Sequence, residues 1–151
     1  MADVVVEGLT VEYDSGGYKH RPLEGFDMQV ADGELAVLVG PSGSGKTTLL
    51  SCLAGLLTPH SGSVRVAGTE VTKLTGRELD EHRRTRVGVV FQAFNLIPSL
   101  SARDNVAVPL RIAGWKRGAA LARATELLER VGLAERLGHR PGKLSGGQQQ
   151  R

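Results

Sequence analysis

Apolar residues along this chain recur with two periods, and the change from one to the other predicts the elements. Val4-Val5-Val6 and Leu9-Thr10-Val11-Glu12-Tyr13 are β-rich, and Asp14-Ser15-Gly16-Gly17 behind them is a turn cluster predicted as a mobile loop. Phe26-Asp27-Met28-Gln29-Val30 alternates apolar with polar, the pattern of a strand with one buried and one wet face, and suggests an antiparallel β layer. Ala31-Asp32-Gly33-Glu34 then turns the chain into Leu35-Ala36-Val37-Leu38-Val39, wholly apolar and predicted as a buried strand. Leu49, Leu50, Leu53 and Ala54 recur at helical spacing, and Pro59 with Ser61-Gly62 ends that element. Ser63-Val64-Arg65-Val66-Ala67-Gly68 reads as a short strand and turn.

Residues 74–86 carry charges at most positions and predict an exposed helix leading into Val87-Gly88-Val89-Val90-Phe91, an apolar run of the kind found inside a parallel sheet. A loop containing Pro98 starts at Asn95, and residues 102–112 predict a helix despite Pro109. Ala120, Ala124, Leu127, Leu128 and Val131 share one face of an amphipathic helix closed by Gly132, a stripe read as packing without chemistry. Residues 133–137 predict a further short helical turn, and Arg140-Pro141-Gly142-Lys143 leads into Leu144-Ser145-Gly146-Gly147-Gln148-Gln149-Gln150-Arg151. Strands and helices interleaved in this way predict the α/β class.

Composition changes this picture little. A chain of 151 residues is about one domain and long enough for a core, and 40% hydrophobic with 23% charged residues is ordinary for a soluble globular protein. The net charge of +3 is scattered, and the densest cluster, His82-Arg83-Arg84-Thr85-Arg86, has no interleaved aromatic residues, so it reads as a solvated helix end and not a nucleic-acid groove. Cys52 is the single cysteine, lies among apolar helix positions and reads as packing. No run of 18 apolar residues and no charged-then-apolar leader occurs, so a membrane role is expected to come through a partner.

Chemistry concentrates at Gly40-Pro41-Ser42-Gly43-Ser44-Gly45-Lys46-Thr47, which fills the pattern G-x-x-x-x-G-K-[ST] between a predicted strand and a predicted helix. Glycines let the backbone curl so that successive N–H groups point inward at phosphate oxygens, and the helix start adds its positive dipole end. Lys46 supplies a mobile charge for β and γ phosphates, and the Thr47 hydroxyl is an expected Mg²⁺ ligand. Gln92, directly after the apolar run 87–91, stands where ligands bind in α/β proteins. Ser145 with Gly146-Gly147 at a helix start offers a second anion-binding surface.

The phosphate loop, then Gln92, then Leu144-Ser145-Gly146-Gly147-Gln148 in this order resembles the nucleotide-binding domain of an ABC transporter over essentially the whole chain, the pentapeptide being that family's signature. Val90-Phe91-Gln92-Ala93-Phe94-Asn95-Leu96-Ile97-Pro98 followed by Asp104-Asn105-Val106 is similar to the subgroup that works with lipoprotein-releasing, macrolide-exporting and cell-division-associated permeases. The resemblance implies a phosphate-loop core with an N-terminal antiparallel β layer, residues 1–92 and the chain end belonging to the core and about 93–143 to a helical subdomain. It implies ATP and Mg²⁺ as cofactors, with Tyr13, residues 40–47, Thr48, Ser145, Gly146, Gly147 and Gln148 on nucleotide, Thr47 and Gln92 on the metal, and Lys46 and Gln92 as catalytic groups. Tyr13 stands where the family stacks an aromatic ring on adenine, with Tyr18 as a nearby competitor.

Two such domains pack head to tail in the family, so Ser145 and Gly147 are expected on a partner's ATP, and residues 95–110 on a permease, with Leu96, Ile97, Leu100 and Val106 as its apolar contacts. The location implied is the inner face of the cell membrane, held there through the permease. Members of the family carry an aspartate, a glutamate and a switch histidine beyond the signature, positions this sequence does not contain. The expectation is therefore an incomplete domain that binds ATP, folds marginally alone and leaves hydrolysis open. The alternatives are a non-hydrolysing ATP-binding fragment, or a soluble member of the superfamily in translation or DNA repair.

Overall fold

The computed structural model describes residues 2–151 and divides them into two compact units, one ending at Val89 and the other comprising Val90–Arg151. In the first unit, β1 (Ala2–Ser15) and β2 (Tyr18–Ala31) form a long antiparallel hairpin. Its turn is Gly16-Gly17, with φ of 62° and 88°. A two-residue turn with both central residues left-handed matches the twist of its flanking strands, and glycine adopts that conformation without Cβ strain. The mobile loop predicted over residues 14–17 is therefore a tight turn, and β2 includes residues 18–25, which no apolar period had marked.

β3 (Ser61–Val66) pairs with the other edge of β1, and β4 (Thr69–Glu70) with β3, giving a sheet of order β2-β1-β3-β4 in which every pairing is antiparallel. This is the antiparallel layer that the alternation at 26–30 suggested. Its inner face, with α1 (Lys46–Leu53) against it, buries Val6, Leu9, Val11, Leu23, Leu49, Cys52, Val64 and Val71 in one cluster. Burial raises the Cys52 thiol pKa, which keeps it protonated and fits the packing role.

Residues 35–39 do not form the predicted strand. Only Leu38 packs against the core, while Leu35, Val37 and Val39 are 88%, 73% and 86% exposed. A strand exists only by exchanging hydrogen bonds with a neighbour, and among the described residues none lies beside this run. Residues 87–91 likewise carry no ladder, and Val90 is 95% exposed. Apolar composition alone does not make a strand, which also needs a pairing partner.

A correction also applies to the charged cluster at 82–86. α2 (Gly76–Thr85) is largely solvated, yet His82 is buried with neither ring nitrogen hydrogen-bonded. Burial first, and then the charge of Arg86, push its pKa below the ordinary 6.5. The unfolded chain takes up a proton here at higher pH than the folded one, so acidification through the range just below 6.5 favours unfolding.

The second unit is helical. α3 (Ala102–Ile112) and α4 (Arg117–Arg130) meet through Ala107, Ala120 and Ala124, small residues that let the backbones approach closely. Ala102, Leu128, Leu133 and Leu144 form a second cluster. Val131 is not on the packed stripe as predicted: it caps α4, lies exposed, and its carbonyl accepts from Arg151 Nη1 at 3.1 Å. Of the four apolar residues expected to contact a permease, only Ile97 is exposed, at 40%. Leu96 and Leu100 are half-buried, and Val106 packs into both helical clusters. The last element, α5 (Gly146–Gln150), begins at the predicted helix start.

Candidate functional site

The stretch 40–45 turns through left-handed glycines at Gly43 (φ 82°) and Gly45 (φ 85°), and α1 opens at Lys46. Gly45 is required here for two reasons. A non-glycine residue is strained at its φ, and a Cβ there would lie 2.5 Å from the Pro22 carbonyl oxygen and 2.9 Å from Leu23 Cδ2. The β1–β2 hairpin is thus pressed directly onto the start of α1. This contact was not read from the sequence, because Pro22 and Leu23 fall outside every period that predicted a strand.

No side chain caps α1, and its first turn contains no acidic residue. The first-turn N–H groups, those of Lys46, Thr47 and Thr48, therefore have no intrahelical partner and stand at the positive end of the helix dipole. Lys46 arches back over the loop, and its Nζ donates to the Gly40 carbonyl at 2.8 Å, the Pro41 carbonyl at 2.7 Å and Ser44 Oγ at 3.1 Å. The ammonium is parked on loop oxygens that water can equally well hydrate, and it is free to exchange them for an anion. Thr47 is exposed, with its carbonyl accepting from Ser51 Oγ at 2.8 Å.

Tyr13 is 44% exposed on β1 and sits directly opposite His20. Its competitor Tyr18, 74% exposed, is at the turn opposite Ser15, farther from the Val11–Leu23 pair that abuts Gly45. Behind it Glu12 accepts from Lys19 Nζ at 2.8 Å and Arg21 Nε at 2.7 Å. These bonds, Lys19's ahead of Arg21's, hold the carboxyl at a pKa of about 2.

In the second unit Gln92 is exposed in a turn where Phe94 N donates to the Phe91 carbonyl at 3.1 Å, and Phe94 and Asn95 take φ of 60° and 48°. Asn105 then fixes the following loop. Its Oδ1 accepts from Ile97 N at 2.7 Å, and its Nδ2 donates to the carbonyls of Ile97 at 3.1 Å and Ser101 at 3.0 Å. Periodicity gave no sign of this clamp, since Asn105 is simply a polar position on α3.

Ser145 is the N-cap of α5. Ser145 Oγ accepts from Gln148 N at 3.3 Å and Gln148 Oε1 accepts from Ser145 N at 2.9 Å, a closed capping box. Gly146 and Gly147 are exposed with open space where a side chain would project. Gln149 Nε2 ties the segment down on the Pro141 and Leu144 carbonyls, both at 3.0 Å.

A glycine-lined loop, an uncapped helix start and a lysine in its first turn define a phosphate-binding-loop protein of the α/β class. The family model of the ABC transporter matches residues 23–151. The chain belongs to the ABC transporter ATP-binding family. It is 59% identical over its full length to an uncharacterised ABC transporter ATP-binding protein of Mycobacterium tuberculosis, of which it covers 46%. It is 49% identical over 146 residues to the lipoprotein-releasing system ATP-binding protein LolD of Geobacter metallireducens, covering 97% of this chain and 65% of that one. The macrolide export ATP-binding/permease protein MacB of Rhodopseudomonas palustris is 47% identical over 148 residues, of which this chain spans 23%. Among solved structures, a dimeric ATP-binding cassette in a post-hydrolysis state bound to ADP and Pi superposes with a TM-score of 0.90 at 35% identity, over 97% of this chain and 65% of that one. The chain thus has the fold of an ABC cassette and spans about half the length of the mycobacterial relative it matches.

Proposed function

We propose that this chain binds Mg-ATP as the energy-coupling part of an ABC transporter, and that hydrolysis drives transport in the complete, dimerised domain. The observation that carries the proposal is the uncapped start of α1, held by Gly45 against Pro22 and Leu23 with Lys46 in its first turn. The backbone N–H groups of the loop and Lys46 take the phosphates, Gly40, Pro41, Ser42, Gly43 and Ser44 wrapping them and Thr48 closing the first turn. Tyr13, nearer the loop than Tyr18, stacks on adenine.

Thr47 Oγ1 and Gln92 Oε1 are each hard oxygen donors of the kind Mg²⁺ accepts, and each would offer the ion an oxygen besides those of the phosphates. The described residues hold no cluster of three or more His, Cys, Asp or Glu that could bind a metal unaided. When bound, Mg²⁺ neutralises charge on the transferring phosphoryl group. Ser145, Gly146, Gly147 and Gln148 close on the nucleotide of a second domain. The proposed place of work is the cytoplasmic face of the membrane, reached through a permease subunit; no helix among the described residues is long and apolar enough to cross a membrane. Relatives named for lipoprotein release and macrolide export favour permeases of those subgroups.

The test is ATP binding and phosphate release by the chain and its Lys46→Ala variant. Binding lost in the variant supports the nucleotide site, and steady release lost with it supports hydrolysis. Binding without turnover leaves the ATP-binding reading in place and removes hydrolysis from this chain.

A further inference from the structure

We infer that His20 forms the second half of the nucleotide-base platform, side by side with Tyr13, so that a purine stacks across both rings. The inference rests on the reading of Tyr13 as the adenine contact. Tyr13 and His20 are direct partners in the β1–β2 ladder, and residues directly opposite in an antiparallel pair share one face with Cβ atoms about 4.5–5.5 Å apart. Both are exposed.

The opposite face of the hairpin is occupied by the ion pairs of Glu12 with Lys19 and Arg21, so the charged neighbours in sequence are directed away from the two rings. The preceding ladder pair is Val11 with Leu23, both core residues, and a register shift between the two pairs sets three residues of β2 against two of β1. Tyr13 and His20 begin where that core ends. Pro22 and Leu23, two and three residues beyond His20, are those pressed on Gly45 at the start of α1. A base leaving the phosphate loop along this face meets both rings, and all of these residues belong to one compact unit.

Stacking on an aromatic side chain is tolerant of base identity, so selectivity arises here from size. A bicyclic purine covers both rings, whereas a single-ring pyrimidine covers Tyr13 alone. His20 therefore sets the preference for purine over pyrimidine nucleotides, and Tyr13 the binding of either.

The experiment measures dissociation constants of ATP, UTP and inorganic tripolyphosphate with the 151-residue chain and its variants His20→Ala, His20→Phe and Tyr13→Ala, each checked by circular dichroism for an intact fold. The expected result for His20→Ala is about fivefold weaker ATP binding, the low end of what one stacked base contributes. UTP and tripolyphosphate should stay within about twofold, and His20→Phe should restore ATP. An ATP-to-UTP ratio that His20→Ala leaves unchanged, while Tyr13→Ala weakens both nucleotides, overturns the role of His20 and leaves Tyr13 in place. If Tyr13→Ala changes neither nucleotide, or the chain binds ATP no better than tripolyphosphate, the Tyr13 reading fails and this inference fails with it.

Discussion

The two helix starts proposed as anion sites, those of α1 and α5, are built on opposite plans. α1 begins at a left-handed glycine with no side chain bonded to its first turn, and its fixed geometry comes from outside, from the hairpin wedged against Gly45. α5 begins at Ser145 and satisfies itself, Ser145 and Gln148 each bonding the other's backbone. The first start is held open by tertiary packing and presents free donors to a ligand. The second has spent two of its donors locally, so a ligand there must either use the donors of Gly146 and Gly147 or displace the box. A preformed site gains affinity because its ordering has already been done by folding. On the proposed reading the signature segment is therefore the weaker anion site when alone, in keeping with the proposal that it closes on another domain's nucleotide.

The difference breaks first at Gly45. Gly45→Ala puts a Cβ into the Pro22 carbonyl at a left-handed φ, and should cost about 3 kcal/mol of stability, about half from the φ and the rest from the clash. The urea midpoint of unfolding reports it. An alanine tolerated with no shift would mean that the hairpin does not brace the loop, and the contrast with α5 would fall.

Next in size is Lys46→Ala. The three bonds of Lys46 are to loop oxygens that water can serve, so stability should move by less than about 0.5 kcal/mol. ATP affinity should fall roughly 10- to 100-fold, the value of one charge-assisted hydrogen bond to phosphate. Titration with a fluorescent ATP analogue separates the two effects. Equal losses of stability and affinity would show that Lys46 is structural.

The phosphate loop was legible in the sequence because its chemistry is local: the glycines, Lys46 and Thr47 carry their geometry within eight positions. The same holds for the start of α5, where Ser145 and Gln148 stand three residues apart. Non-local features were not legible. Pro22 and Leu23 reach Gly45 across more than twenty residues, and no periodic pattern marks a strand whose role is to abut a loop. The runs at 35–39 and 87–91 show the reverse failure, since their composition reads as buried strand while no strand among the described residues pairs with them. The buried His82 was misread for a related reason: a charged neighbourhood in sequence says little about which single position of a helix faces the core.

The smallest effects are expected at the box itself, and they sharpen the contrast most. Ser145→Ala removes the acceptor that takes Gln148 N, and should cost about 1 kcal/mol locally, seen as faster amide exchange at Gln148 with the rest of the chain unaffected. Gln148→Ala removes only the reciprocal bond to Ser145 N, where water can replace it at an exposed serine, so about 0.5 kcal/mol is the expected loss. Opening the box in this way also frees the Ser145 N–H as a third donor beside those of Gly146 and Gly147. If the box competes with ligands, Gln148→Ala should weaken the helix start while leaving anion binding there unchanged or improved. If instead Gln148 itself contacts the nucleotide, the same substitution should weaken binding of ATP between two domains, and the self-capped state would then be a resting arrangement from which Gln148 turns outward.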